Sequence, residues 1–285
     1  MNPDEPLDLH GLVTRASLWP VKRLVQPYAW ISHIPFAFWL VGACRPRLVV
    51  ELGTHTGNSF FAFCQAAETH GTGSRLVAVD TWKGDAHAGA YGEQVFRDVS
   101  AFRDARYAGS AELLRATFDE ARPRFAAGSI DLLHIDGLHT YEAVRHDFET
   151  WRDALSSRAI VLFHDTTVRR GDFGVWRLWE RLRDEHPAFE FPFCNGLGVL
   201  GVGTGLPEPV RRLFALGEAA APDVIEIYRR LGQSLCDWPA ELATLRGRLE
   251  AIETSRSWRL ASAIATIANA ARGGGNRRRA RLQPP

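Results

Sequence analysis

The segment Val49–Ser59, VVELGTHTGNS, limits what this chain can fold into more than any other stretch. Leu48 to Leu52 is a hydrophobic run of strand character. Gly53 and Gly57 then break it, and Asn58 and Ser59 are residues that open helices. A strand passing through a glycine turn into a helix is the first half of a βαβ unit. Glycines at 53 and 57, with Thr54 between them, let the backbone come close to a ligand. A second hydrophobic run, Arg75 to Val79, ends in Asp80. A carboxylate at that strand end is placed to accept hydrogen bonds from ribose hydroxyls.

The pair of features implies a nucleoside cofactor, and the spacing narrows the choice. A dinucleotide site would read G-x-G-x-x-G, with helix amides on a pyrophosphate. Here the order is E-x-G-x-x-x-G-x-S, and Glu51 would repel a pyrophosphate while pairing with an ammonium. That disfavours an NAD-linked oxidoreductase. S-adenosylmethionine carries an ammonium and a sulfonium and no phosphate. The arrangement resembles motif I of the class I methyltransferases. The resemblance implies that Glu51 anchors the amino-acid end of that cofactor and Asp80 its ribose, with Gly53, Thr54, Gly57, Asn58 and Ser59 forming the loop around it. Trp82, just after Asp80, either covers the adenosine face or joins the core. Ser110, in Tyr107–Ser110, resembles the family position near the adenine.

Composition sets outer limits. At 285 residues, 46% hydrophobic and 24% charged, the chain suits one sizeable α/β domain with appendages, and a net charge of +1 gives no bias toward nucleic acid. Cys44, Cys64, Cys194 and Cys236 form no CxxC pair, which fits a reducing cytoplasm rather than a disulfide scaffold or zinc cluster. The first residues are acidic and polar and lack the layout of a signal peptide. The apolar run Tyr28–Cys44 contains His33 and Pro35 and falls short of the ~20 residues that span a bilayer. It reads as a buried or lid helix.

The order of elements predicts the fold. Helices are expected at about Pro35–Ala43, Ser59–His70, Ala111–Phe125, Tyr141–Ala154 and Val175–Glu185. Strands are expected at Ile130–Ile135 and Ala159–Phe163. A polar, glycine-rich loop runs from Asp80 to Gly92. Alternating strands and helices predict an α/β, doubly wound, Rossmann-like sheet, mostly parallel and covered on both faces. Phe189–Phe193 and Gly198–Val202 are expected to form an antiparallel edge hairpin. Residues 1–34 read as a wrapping segment, 35–208 as the methyltransferase-like domain, 209–271 as a helical extension and 272–285 as a basic, disordered tail. In the extension, Leu231, Leu235, Trp238, Leu242, Leu245, Leu249 and Ile252 form a heptad seam, which predicts a homo-oligomer or intrachain packing face. Pro239 is expected to interrupt that helix, with Asp237 able to cap a new one.

A second motif carries chemistry: HIDGLHTYE, His134 to Glu142. Asp136 stands at the carboxyl end of a strand, where open α/β sheets bind ligands, and His139 follows in the adjoining turn. The next strand ends in His164 and Asp165. Alternatively, Asp136 makes a plain turn and His139 caps a helix. The arrangement resembles the metal site of catechol-type and sugar-type O-methyltransferases, including the macrocin- and cephalosporin-type branch. The resemblance implies a divalent cation, Mg²⁺ or Mn²⁺, held by Asp136, His164 and Asp165, with His139 as general base. His164 departs from the family, which more often has an acidic residue there, and imidazole suits Mn²⁺ better than Mg²⁺. His139 is expected to be neutral near working pH.

The implied activity is methyl transfer from S-adenosylmethionine to a hydroxyl. Ser255–Ile264, SRSWRLASAI, resembles tails on enzymes of bacterial polysaccharide assembly and favours a sugar or glycan acceptor, with the basic tail touching the inner membrane face peripherally. The rival readings are a metal-independent methyltransferase on another small-molecule hydroxyl and a non-catalytic scaffold.

Overall fold

In the computed structural model of this chain, residues 2–7, 11–217 and 219–254 are described, those from 238 to 254 as backbone. Residues Met1–Leu235 form one compact unit, and the chain from Cys236 onward falls to a second.

The first unit is built on a seven-stranded sheet of order β5-β2-β1-β6-β7-β9-β8. Strand β1 is Leu48–Leu52, β2 Arg75–Asp80, β5 Ala111–Arg115, β6 Ile130–Ile135 and β7 Leu155–His164. These five run parallel. Strands β8 (Ala188–Phe191) and β9 (Leu197–Gly201) form the expected antiparallel hairpin, with β9 paired antiparallel to β7. A two-residue ribbon, β3 (Gly84–Asp85) and β4 (Gly89–Ala90), stands apart from the sheet.

Both faces are covered, as the near-continuous apolar strands require. Alternation along the strands sends Val50, Leu52, Leu133 and Ile135 to one face, where they share a core with Phe148 and Trp151 of α5 (Tyr141–Trp151) and Trp179 and Leu182 of α6 (Val175–Glu185). Glu51 and His134 point to the other face, beside Phe63 of α2 (Asn58–Thr69) and Trp30. Helix α1 (Ile34–Cys44) packs on α2, and nine of its side chains are buried, so the apolar run is an interior helix. Among the described residues no helix is long and apolar enough to cross a membrane.

Two expectations are corrected. Ala111–Phe125 is not one helix. Ala111–Arg115 is the edge strand β5, registered on β2 from Leu76↔Ala111 to Asp80↔Arg115. AELLR contains good helix formers, but burial of Ala111 and Leu114 against β2 outweighs a propensity worth only tenths of a kcal/mol per residue. The helix there is the single turn α4 (Phe118–Ala121), opened by a capping box between Thr117 and Glu120. A helix not anticipated, α3 (Glu93–Arg106), precedes β5. Only Val99 of its residues is buried, so it carries little apolar periodicity.

Helix α7 (Glu208–Phe214) buries Val210 and Leu213. Helix α8 (Ala221–Thr254) is continuous through Pro239, which removes one backbone donor without ending the helix. Leu231 and Leu235 of the heptad seam are half-buried. The seam from Trp238 to Ile252 lies outside the described side chains, and residues 255–264 and the tail 272–285 lie outside the described residues.

Candidate active site

The strand order reverses between β1 and β6, and at their carboxyl ends a cavity of about 530 Å³ opens. This is where open α/β sheets take ligands. Gly53, Thr54, Asn58, Ser59 and Asp80 line it from the β1 and β2 side; Asp136, His139, His164 and Asp165 line it from the β6 and β7 side. The two motifs separated in sequence therefore share one cavity.

On the β1 side the chain turns through Gly53 at φ +88 and Gly57 at φ +81, a region closed to most side chains. Asp80 holds this turn. Its Oδ2 accepts the backbone N–H groups of Thr54 (2.9 Å) and His55 (2.8 Å), and its Oδ1 accepts that of Trp82 (2.6 Å). The Tyr91 hydroxyl donates to Oδ2 as well, at 3.1 Å. The carboxylate expected to face a ribose is thus turned onto its own loop. Asn58 is used similarly: its side-chain amide donates to Val25 O and Pro27 O and its Oδ1 accepts Val25 N–H, which fastens the N-terminal segment to α2. Thr54 Oγ1 is buried without a partner beside the cavity.

Four expected cofactor residues do not line the cavity, and one of them is Gly57, whose part is to bend the turn. Glu51 is fully buried beneath it, bonded to His134 Nδ1 at 2.8 Å, with Oε1 unpartnered. Burial pushes its carboxyl up, against the pull of His134. Trp82 is fully buried, packed on Phe96, and donates Nε1–H to His55 O at 3.0 Å. It supports the loop from inside. Ser110 precedes β5 at the amino edge of the sheet, the end opposite Asp80, because parallel pairing puts Ala111 level with Leu76. The cavity is lined near the other end of β5 by Thr117 and Phe118.

On the β6 and β7 side the groups converge. His139 Nε2 lies 2.9 Å from Asp165 Oδ2 and 3.3 Å from Asp136 Oδ1. His164 Nδ1 lies 3.2 Å from Asp136 Oδ1 and 3.6 Å from Asp165 Oδ2. His164 Nε2 faces Cys194 O at 3.3 Å, leaving Nδ1 toward the carboxylates. Asp165 adopts φ +64, an uncommon conformation for a non-glycine residue, and its Oδ1 is buried without a partner.

Alternating imidazoles and carboxylates reinforce each other's charge. Burial opposes ionisation of Asp136, but the neighbouring His164 and His139 hold it well below the usual carboxylate range. Burial likewise opposes charge on His139, and the hydrogen bonds to Asp136 and Asp165 outweigh it, pushing the imidazole up to about 10. His164 is pushed up to about 9 by the same two carboxylates against its burial. The two carboxylates beside His139 thus favour its protonated ring, against the neutral imidazole expected from sequence.

Several cavity residues gave no signal that could be read locally. His55 and Tyr91 face each other with ring centroids 4.1 Å apart. His87, Phe173 and Trp30 also line the cavity. His55, His87 and Tyr91 all come from glycine-containing loops, and a glycine-rich run after a strand end is the signal that could have flagged them. Of the two loop arginines, Arg170 lines the cavity, whereas Arg169 turns outward to Glu180 at 2.9 Å and to the Trp176 ring.

Residues 50–166 match a family model described as a methyltransferase domain. The match runs from β1 to just past β7, so it takes in the glycine turn, Asp136, His139 and Asp165. The uncharacterized protein y4gI of Sinorhizobium fredii is 43% identical over 244 residues, covering 83% of this chain and 25% of its own length. This chain thus spans a quarter of that relative. Among solved structures, a Staphylococcus aureus protein provisionally described as a caffeoyl-CoA O-methyltransferase aligns at TM-score 0.48 and 12% identity, over 64% of this chain and 86% of its own. A Geobacter sulfurreducens methyltransferase aligns at 0.44 and 18%, over 60% and 78%. Likenesses of this size carry no functional argument.

Proposed function

We propose that this chain transfers a methyl group from S-adenosylmethionine to a hydroxyl of a sugar-type acceptor, at the corner formed by Asp136, His139 and Asp165. The observation that carries this reading is the shared cavity: the glycine turn after β1 and the charged corner after β6 and β7 open onto the same space. A donor lying along the Gly53–Ser59 turn would present its methyl group to an acceptor held at the corner. The work of the protein is then alignment, which can contribute several kcal/mol to a displacement reaction.

An alcohol is a poor nucleophile until its proton is removed. The corner offers three groups for that task. With both carboxylates beside it His139 favours its protonated form, and the acceptor's proton then passes to a carboxylate of the corner as the new C–O bond forms. Where the carboxylates are drawn away from it, the imidazole is neutral and can accept the proton itself.

The donor set also fits a divalent cation. One atom from each of Asp136, His139 and Asp165 lies within 4.8 Å of the others, and Asp165 Oδ1 is a buried acceptor without a partner. Asp136 and Asp165 would hold Mg²⁺ or Mn²⁺ together with one imidazole, His139 by that grouping or His164, whose Nδ1 lies 3.2 and 3.6 Å from the same carboxylates, and mixed oxygen and imidazole ligands favour Mn²⁺. Bound there, the cation would stabilise an alkoxide on the acceptor. A second reading has its own support: two imidazoles already compensate the two carboxylates, and transfer could proceed without metal.

Titration calorimetry of the full chain with S-adenosylhomocysteine and with NAD tests the donor. Micromolar or tighter binding of the first and none of the second is expected; the reverse would end the methyltransferase reading. Transfer of labelled methyl from S-adenosylmethionine to a panel of free hexoses, with and without EDTA, tests acceptor and cation. Loss of transfer in EDTA, restored by Mn²⁺, selects the metal-assisted reading, and unchanged transfer selects the other.

A further inference from the structure

The β3–β4 ribbon touches the catalytic corner through His87. Asp85 Oδ1 shapes the ribbon's tip by accepting the N–H groups of His87 (2.7 Å) and Ala88 (2.8 Å). Ala86, Ala88 and Gly89 around it are exposed, yet the His87 side chain keeps only 8% of its exposure. The imidazole is turned inward from an outward-facing hairpin, and both of its nitrogens are engaged. Nδ1 accepts the backbone N–H of His139 at 3.3 Å, so the proton sits on Nε2, which donates to Asp172 Oδ1 at 2.8 Å.

The ring also stacks. It lies 4.2 Å from Phe173 at 16° and 5.5 Å from His139 at 20°, while Phe173 and His139 are 5.1 Å apart at 5°. The His139 turn and the loop after β7 are already joined without it, through Gly174 N–H to His139 O at 2.8 Å and the bridge between Thr140 and Phe173. His87 adds the third loop, the one after β2 that carries Asp80 and Tyr91. That loop lines the part of the cavity assigned to the donor.

We propose that His87 is a positioning residue that couples the donor loop to the catalytic turn: when the cofactor orders residues 84–91, His87 fixes the His139 turn against Asp136 and Asp165. This rests on the reading that S-adenosylmethionine occupies the cavity. The donor then prepares the corner for the acceptor, and ordered binding, donor first, follows from the connection. His87 itself touches no reacting atom and acts through the backbone and ring of His139.

The test is amide hydrogen exchange on the full chain, with and without S-adenosylhomocysteine, read in residues 84–91 and 137–140. In the unsubstituted protein the ligand is expected to slow exchange in both segments, by about tenfold in the second, the factor that one hydrogen bond supplies. In His87→Ala, protection of 84–91 should persist while that of 137–140 disappears. His87→Phe keeps the bulk and the stack but offers no acceptor; it should show the same loss and serves if the alanine variant does not fold. His87→Asn returns an acceptor near the Nδ1 position and should recover part of the protection. A general loosening of the structure would not separate the two segments or respond to asparagine. Full protection of 137–140 in both the alanine and phenylalanine variants would overturn the proposal. Absence of protection in both segments of the unsubstituted protein would overturn the donor assignment, and the coupling with it; protection of 84–91 alone would overturn the coupling only.

Discussion

The backbone of Gly53 lies against the carbonyl of Asp136, so closely that a Cβ at residue 53 would sit 2.0 Å from that oxygen. Adjacent pairing of β1 and β6 brings these two strand ends together, and it makes the Gly53–Ser59 turn and the Asp136 corner one packed object. Gly53→Ala would meet both a forbidden φ and a backbone collision that no rotamer can relieve. A stability loss of about 2–4 kcal/mol is expected, combining local strain with displacement of the Asp136 turn. Chemical denaturation would show it as a lower midpoint at unchanged slope, and a midpoint equal to that of the unsubstituted protein would contradict the packing described.

Asp80 is the centre of a second set of predictions. Its carboxylate accepts three backbone amides and a hydroxyl, and asparagine can accept on one oxygen only. Asp80→Asn should weaken S-adenosylhomocysteine binding by about 10–100-fold, in line with losing hydrogen bonds to a charged acceptor. Tyr91→Phe removes one donor of the set and should cost less than Asp80→Asn. Calorimetry on both variants checks the ranking; equal or reversed effects would mean that the Asp80 bonds to the backbone do not hold the loop.

Replacing His139 or Asp136 by alanine separates binding from chemistry. Both side chains stand on the β6 and β7 side of the cavity, across from the Gly53–Ser59 turn, so the dissociation constant for S-adenosylhomocysteine should change by no more than about threefold, while methyl transfer falls by roughly 10²–10⁴, the range for lost acid–base catalysis. A variant that transfers methyl at the original rate would remove that residue from the mechanism. Circular dichroism of each variant verifies that the fold persists.

Asp147 gives a pH-dependent prediction away from the chemistry. It is buried on α5, and desolvation pushes its carboxyl up to about 7, with His146 opposing and Asp119 adding to the effect. The folded state therefore binds this proton more tightly than the unfolded state does. Stability declines as pH rises from about 4, the ordinary range for aspartate, through about 7, and stays lower above it. Asp147→Asn should remove this decline. It should stabilise the protein by about 1–3 kcal/mol at pH 8.5 and by almost nothing at pH 4. Thermal unfolding at the two pH values reads the difference, and an equal shift at both would sink the assignment.

The fold was legible where burial was strongest. Leu48–Leu52, Ile130–Ile135 and the apolar stretch of β7 announce strands covered on both faces, and Val175–Glu185 carries a clear helical stripe. Ala111–Arg115 misled because its composition favours a helix while its place at the sheet edge demands a strand, a decision made by a neighbour distant in sequence. Helix α3 was silent because it buries so little. In the site, Asp136, His139, His164 and Asp165 were legible as polar groups at strand ends. What sequence could not give was direction: Asp80 and Asn58 occupy expected positions, but their side chains bond to the protein's own backbone. His87 reaches the corner through a hairpin whose geometry depends on Gly84, Asp85 and Gly89 together.

Residues 25–30 lie outside the family-matched span, yet Pro27, Ala29 and Trp30 supply part of the cavity lining, and Trp30 donates Nε1–H to His134 at 3.1 Å. A fragment trimmed to residues 50–166 would keep the strand tips and both acidic motifs but lose this flank. Solvent would then enter the cavity from the side that Pro27, Ala29 and Trp30 close. The smallest piece that keeps this cavity closed is longer at its amino end than the piece that similarity alone would delimit.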